Sequence, residues 1–177
     1  MIDLDLKTFQ DYGELRDILY DYQKAVKNHK KRPEMKIRAY KFVTRKLGSP
    51  WFAARSGWDW YYQAINSGAV SINYIPGSEV VPHDVNYNDY KMCGAGINVV
   101  PLAEAIDQGQ WPRMMRYACR PSTRFVAIDF DLKDIACMPF SLYDHKFRLS
   151  VGRVAFVCDK KGNPTNCKEN REAGVYV

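Results

Sequence analysis

The sequence predicts an α+β fold: a curved, mainly antiparallel sheet with peripheral helices, preceded by an N-terminal amphipathic helix. Three observations carry that expectation. An early stretch keeps one apolar stripe at alternating three- and four-residue steps, through Tyr12, Leu15, Leu19, Tyr22 and Val26. Two late stretches, Thr123 to Leu132 and Phe147 to Val157, are dense in the β-branched and aromatic residues that suit a pleated, buried surface. Between them the chain is punctuated by Pro and Gly turns, with no internal repeat, which fits one layered α+β unit.

Taken in order, Thr8 is placed to cap the first helix, with Asp11 in its first turn where an acidic group meets the helix dipole. Lysines near its end suit the opposite pole, and Pro33 prevents simple continuation. This divides the chain into a helical extension over 1–35 and an α+β domain over 36–177. The stripe has to be buried, either on the domain's own sheet or against a partner or second copy; the sheet is the expected destination. Ile37 to Thr44 reads as a strand closed by Gly48, Ser49 and Pro50. Ala69 to Ile75 alternates Val70, Ile72 and Tyr74 on one face, and Pro76-Gly77 turns it. Pro82 to Asp89 is a polar loop. Pro101 opens a short helix through Ala103, Ala105 and Ile106 that ends near Gly109. Asp159 to Pro164 is a turn, and the tail beyond it has no strong period.

Composition narrows the class. An apolar fraction of 46% with 14% aromatics supplies a core and excludes a disordered chain. Apolar runs are far shorter than a membrane span, and the first residues lack the basic and apolar regions of a secretory signal, so a cytoplasmic location is expected. Five cysteines, at 93, 119, 137, 158 and 167, form no Cys-x-x-Cys pair and no even framework, which points to free thiols in a reducing compartment.

The formal net charge of +6 is unevenly placed. Acidic residues dominate before Gln23, whereas Lys27 to Lys46 carries Lys30, Lys31, Arg32, Arg38, Arg45 and Lys46 among its cations against Glu34 alone. Such a run either keeps a surface solvated or attracts a polyanion or an acidic protein. It is followed by Trp51, Arg55, Trp58 and Trp60, whose rings suit a core corner, an interface anchor or base stacking. These ten residues are the candidate partner-binding set. A host protein or nucleoprotein is the expected partner, direct nucleic-acid binding is an option, and self-association is open.

A turn spelled Cys93, Gly94, Ala95, Gly96, Ile97, Asn98 and Val99 precedes the second helix signal. It is followed by Asp134-Ile135, Pro139, Lys146 and Arg148 ahead of the last strand. This order resembles a small domain found in bacteriophage genomes, including the C-terminal part of phage proteins of the rapid-lysis B type. There a Cys-x-x-Gly-Leu-His-Val turn precedes an Ala-containing helix, a strand, an Asp-Val or Asp-Ile step, a Pro and a Lys-x-Arg. The upstream Ala39 to Phe42, Ser49-Pro50 and Tyr74 to Gly77 also look like that family, so the resemblance spans about Lys36 to Val157. Where the family commonly has His after Gly-Leu, this chain has Asn98. The resemblance implies a phage origin and assigns no activity.

Several candidate chemical sites have structural roles as alternatives. Cys93, Asn98, Lys146 and Arg148 form a possible ligand pocket, with Cys93 as thiol on a Gly-rich turn and two cations able to hold an anion. The glycines also suit a sharp entry into the strand, with Cys93 as a small buried residue. His83, Asp84 and Asp89 lack a second His at ligand spacing, and Asp129 with Asp131 share a strand face as any solvated sheet edge can. Ser122-Thr123 at a strand start resembles ADP-ribosyltransferases, but Glu169 and Glu172 have the wrong spacing for their acidic motif. No cofactor or metal is expected. The leading functional expectation is a nonenzymatic phage accessory protein that binds a host macromolecule and inhibits a defence or regulatory machine. The alternative is a nucleotide-handling or ADP-ribosyl-transferring enzyme built on the Cys93–Asn98 turn.

Overall fold

The longest ladder joins β2 (Lys36–Val43) to β5 (Arg124–Asp131) antiparallel, in unbroken register from Lys36↔Asp131 to Val43↔Arg124. This computed structural model describes residues 7–9, 11–29, 35–48, 72–87, 95–102, 124–137, 147–159 and 161–177. On the far side of β5 lies β8 (Gly152–Cys158), with β3 (Glu79–Val80) beyond it, and on the far side of β2 lies β1 (Lys7–Thr8). The order β1-β2-β5-β8-β3 is antiparallel except for the parallel β1–β2 pair. A second sheet has the order β4-β7-β6, formed by Ile97–Val99, Phe147–Leu149 and Ile135–Cys137. Neither sheet closes on itself, and the expected α+β class holds.

Strand alternation makes two cores. Ile37, Ala39 and Val43 of β2 share a face with Val126, Ile128 and Phe130 of β5 and with Val154 and Val157 of β8, and all are buried. The opposite face carries Tyr40, Phe42, Phe125, Ala127 and Cys158, with the Phe42 and Phe125 rings 4.7 Å apart. Both faces of the β2–β5 ladder are therefore covered at the Val43 end, where Lys41 is the one charged residue of β2 between Ala39 and Val43. The sheets are tied by Tyr40 and Val100, whose amides donate to each other's carbonyls at 2.9 and 2.8 Å.

The N-terminal helix α1 runs Tyr12–His29 and packs on the first core through Leu15 and Tyr22, with Tyr12, Ile18, Leu19 and Val26 partly buried beside them. The expected destination of its stripe, the domain's own sheet, is the observed one. Its cap differs from the expected Thr8, which belongs to β1. Asp11 Oδ1 accepts from the Glu14 amide at 2.9 Å, the bond a residue just before the helix makes to its third position. Strand β1 then delivers Phe9 into the core, where its ring lies 6.2 Å from Phe147. Phe147 also meets Tyr12 edge-on and Phe130, so one β7 side chain joins the N-terminal segment to both sheets.

The expected strand from Phe147 to Val157 is two strands in two sheets. Ser150 marks the break: its amide and hydroxyl both donate to Asp134 O, at 2.8 and 3.2 Å, in place of a ladder partner. Gly152 lets the chain re-enter, because a methyl group there would stand 2.7 Å from Cγ2 of Ile128. A register shift between Ala127 and Ile128 inserts one extra β8 residue. Of the expected strand from Ala69 to Ile75, only Ile72 to Ile75 is described, and it makes a single bridge, Asn73 to Gly48. The Pro76-Gly77 turn is present, with Gly77 at φ +84°. Beyond Leu102, the expected Pro101 helix lies outside the described residues.

Two substitutions on α1 should act in opposite ways. Leu15 is fully buried, so Leu15→Ala should cost about 2–5 kcal/mol in urea denaturation. The Tyr22 hydroxyl is buried without a hydrogen-bond partner among the described residues. Tyr22→Phe should therefore match or exceed the parent, because it removes a desolvated group; a loss above about 1 kcal/mol would reveal a bond to that hydroxyl.

Candidate functional site

The possible pocket residues Asn98 and Arg148 come together because they are register partners across β4 and β7. Arg148 is 2% exposed. Its Nε donates to Asn98 Oδ1 at 3.3 Å and its Nη1 to the Asn86 carbonyl at 2.5 Å. A buried guanidinium costs several kcal/mol unless its fork is hydrogen-bonded, and these acceptors lower that cost. Gly96 makes the arrangement possible: at φ +129°, it lies where a methyl group would meet Arg148 Cγ and Cδ at 2.9 Å. The backbone explanation for this glycine is therefore the observed one at Gly96. Gly94, Cys93 and Lys146 lie outside the described residues.

Lys41 is the group that sequence reasoning missed. Its ammonium donates to the Asn98 carbonyl at 2.8 Å and lies 5.2 Å from the centre of the Tyr74 ring. The signal was present: Lys41 has the parity of Ile37, Ala39 and Val43, which places a lysine on the buried face of β2. Asn98 thus receives two cationic side chains, one at its amide and one at its backbone, and the Asn86 loop is fastened to the same cluster. The cluster binds the chain's own oxygens and holds β4, β7 and the 84–87 loop together.

The remaining candidates divide by environment. Arg38 makes a bidentate pair with Asp129, at 2.6 and 2.8 Å, and stacks 4.7 Å over Phe156. Burial opposes the Arg38 charge most strongly, yet the bond and charge of Asp129 outweigh it and raise its pKa. Nearby, burial pushes the Cys158 thiol up to about 12, with Asp159 adding to the rise, so this thiol is a poor nucleophile. Arg45 and Lys46 are exposed on the turn after β2. Lys30, Lys31, Arg32, Trp51, Arg55, Trp58 and Trp60 lie outside the described residues.

Asp129 and Asp131 do share a sheet face, but they are engaged separately: Asp131 caps the 3-10 turn Leu132–Asp134 by accepting from the Lys133 amide. Asp84 accepts from its neighbour Val85, and His83 beside it is exposed. No cluster of three or more His, Cys, Asp or Glu side chains is arranged to hold a metal among the described residues. Cys158 and Cys167 are free thiols. No helix among the described residues is long and apolar enough to cross a membrane.

The C-terminal segment, which showed no period, contains α2 (Lys168–Glu172) and a second buried polar device. Asn170 is fully buried, accepts from the Val157 amide at 2.8 Å, and donates to the carbonyls of Val157 and Thr165. Glu169 takes a bidentate bond from Arg124 at 2.7 and 2.9 Å, and Arg124 also donates to the Arg45 carbonyl. That bond to Arg124 holds the Glu169 carboxyl down to about 2. No family model matches the chain, and no curated protein or solved structure matches it either.

Two measurements follow from these contacts. Asn98→Ala leaves a buried guanidinium short of an acceptor and should cost about 1–3 kcal/mol, whereas a folded variant of unchanged stability would free Asn98 for a ligand role. Glu169 has a folded pKa below its unfolded one, so its contribution is full above the ordinary carboxylate range and disappears as pH falls toward 2. With the side chains 22% and 32% exposed, the pair should contribute about 1 kcal/mol or less. Glu169→Gln should be less stable near neutrality, and its gap from the parent should close between about pH 5 and pH 2 in acid titration.

Proposed function

We propose that this protein is a phage-encoded accessory protein that binds a host macromolecule during infection and inhibits a defence or regulatory machine. The observation that supports binding over catalysis is the burial of Arg148. The cation best placed in sequence for an anionic substrate holds Asn86 and Asn98, while Arg45 and Lys46 remain exposed. Arg148, which belongs to the stretch that resembles the phage domain, then serves this reading through the fold, with the basic run supplying attraction. Its working compartment is the host cytoplasm, and its attraction to the partner is largely electrostatic.

Replacing Lys30, Lys31 and Arg32 with Glu tests the basic run. The variant should fold like the parent by circular dichroism, capture less of the partner from a lysate of infected cells, and show a weaker dependence of capture on salt. Equal capture by parent and variant at low and high salt would remove this run from the binding mechanism.

A further inference from the structure

The charges of the five-stranded sheet are not evenly spread along its strands. Where β2 and β8 end and β5 begins, Arg124 is balanced by Glu169, and Lys168 faces Glu172 at 3.6 Å. Arg45 and Lys46 follow β2, Lys161 follows β8 and Arg171 lies on α2; all four are exposed, with Asp159 the remaining acid of these segments among the described residues. Among the described residues the opposite end is balanced, with Lys36, Arg38, Lys133 and Arg153 against Glu79, Asp129, Asp131 and Asp134. A polyanion meeting this sheet encounters a surplus of positive charge at one end only.

The turn that carries two of those cations is rigidly built. Thr44 donates its amide to the Gly48 carbonyl at 3.0 Å, its hydroxyl accepts from the Gly48 amide, and the Leu47 amide returns to the Thr44 carbonyl. Leu47 occupies the left-handed region at φ +61°, a costly conformation for a branched side chain, and is 3% exposed. Its carbonyl accepts from the Tyr74 amide at 2.8 Å. From outside, Arg124 donates to the Arg45 carbonyl. With Leu47 anchored in the core, Arg45 and Lys46 are left on the outer side of a turn whose backbone is already ordered, so binding there orders less chain.

Resting on the reading of this protein as a host-macromolecule binder, we propose that the Thr44–Gly48 turn is a docking surface for the phosphate backbone of a nucleic acid. Phosphate contacts require exposed cations on a positioned backbone and no apolar anchor. An acidic protein would ordinarily add an aromatic or aliphatic centre to its footprint. The exposed large apolar residues among those described are Tyr20, Ile75, Val81, Tyr87, Tyr176 and Val177, and none lies on this turn or on the 159–164 hairpin.

The test is fluorescence anisotropy of the full chain with a labelled random-sequence DNA duplex and the matching single strand, repeated across a salt series. The parent should bind at low salt with an affinity that falls linearly against log salt, and Arg45→Glu/Lys46→Glu should weaken binding by about tenfold or more and flatten that slope. Arg171→Glu, at an exposed cation on α2, should weaken it less, and Lys133→Glu, at an exposed cation of the charge-balanced end, should leave it unchanged. Loss of binding by Lys133→Glu equal to that of the double variant would overturn the placement, and polyglutamate binding as tightly as either DNA would overturn the nucleic-acid assignment. No binding to either DNA, with nuclease-resistant capture of a host protein from infected-cell lysate, would refute the surface while sparing the accessory reading. DNA binding without any infection-specific capture would do the reverse.

Discussion

The ladder between β2 and β5 has to be buried on both faces, and the other elements are arranged to satisfy that requirement. Its inner positions exclude water on one face under α1 and on the other under Val100 and Leu102. An antiparallel pair usually leaves one face to solvent, so two-sided burial demands a cover for each. Helix α1 supplies the first through Leu15 and Tyr22. The second is assembled from the Val100 bridge and the hairpin around Gly162, which sits so close to Tyr40 that a methyl group would lie 2.9 Å from its hydroxyl.

Attaching the smaller sheet takes polar groups as well as the apolar area of Ile97, Val99, Phe147 and Leu149. Strands β4, β6 and β7 have only three residues each, too few to be stable as a ladder alone. They are held by Phe147, which reaches Phe9, Tyr12 and Phe130, and by Arg148 next to it, which reaches Asn86 and Asn98. Adjacent residues of one strand point to opposite faces, so β7 presents an aromatic anchor on one side and a cationic anchor on the other. The polar side is the more demanding, because any acceptor withdrawn from the buried guanidinium leaves a charge poorly solvated.

This division of labour explains what the sequence made legible. Strands β2 and β5 were visible within one residue because two-sided burial writes a run dense in β-branched and aromatic residues, and α1 was visible because its stripe repeats over many turns. The short strands were not, since their partners lie far away: Lys41 and Asn98 are 57 positions apart, and Asn98 and Arg148 are 50. No local pattern announces such a pairing. The break at Ser150 escaped notice for a related reason, as Phe147 to Val157 has strand composition throughout and only the contact of Gly152 with Ile128 shows that the chain changes sheets. Helix α2 is too short to show a period, and its principal device is one fully buried asparagine, a residue that in sequence reads as a turn former.

The basic run illustrates the same limit for function. Between Arg38 and Lys46 the sequence shows a series of cations with one apparent role, yet three different constraints act on them. Strand parity sends Lys41 inward to Asn98 while Arg38, at the opposite parity, meets Asp129 directly across the ladder. Only past Val43, where the ladder ends and Leu47 turns back into the core, are Arg45 and Lys46 released to solvent. Charge density along a chain is therefore a poor guide to charge on a surface wherever the run crosses a strand, because alternation consumes half the positions and cross-strand acids neutralise others. What reaches solvent is set by the turn at the strand's end, and in this protein that turn is fixed by the same buried leucine that completes the core.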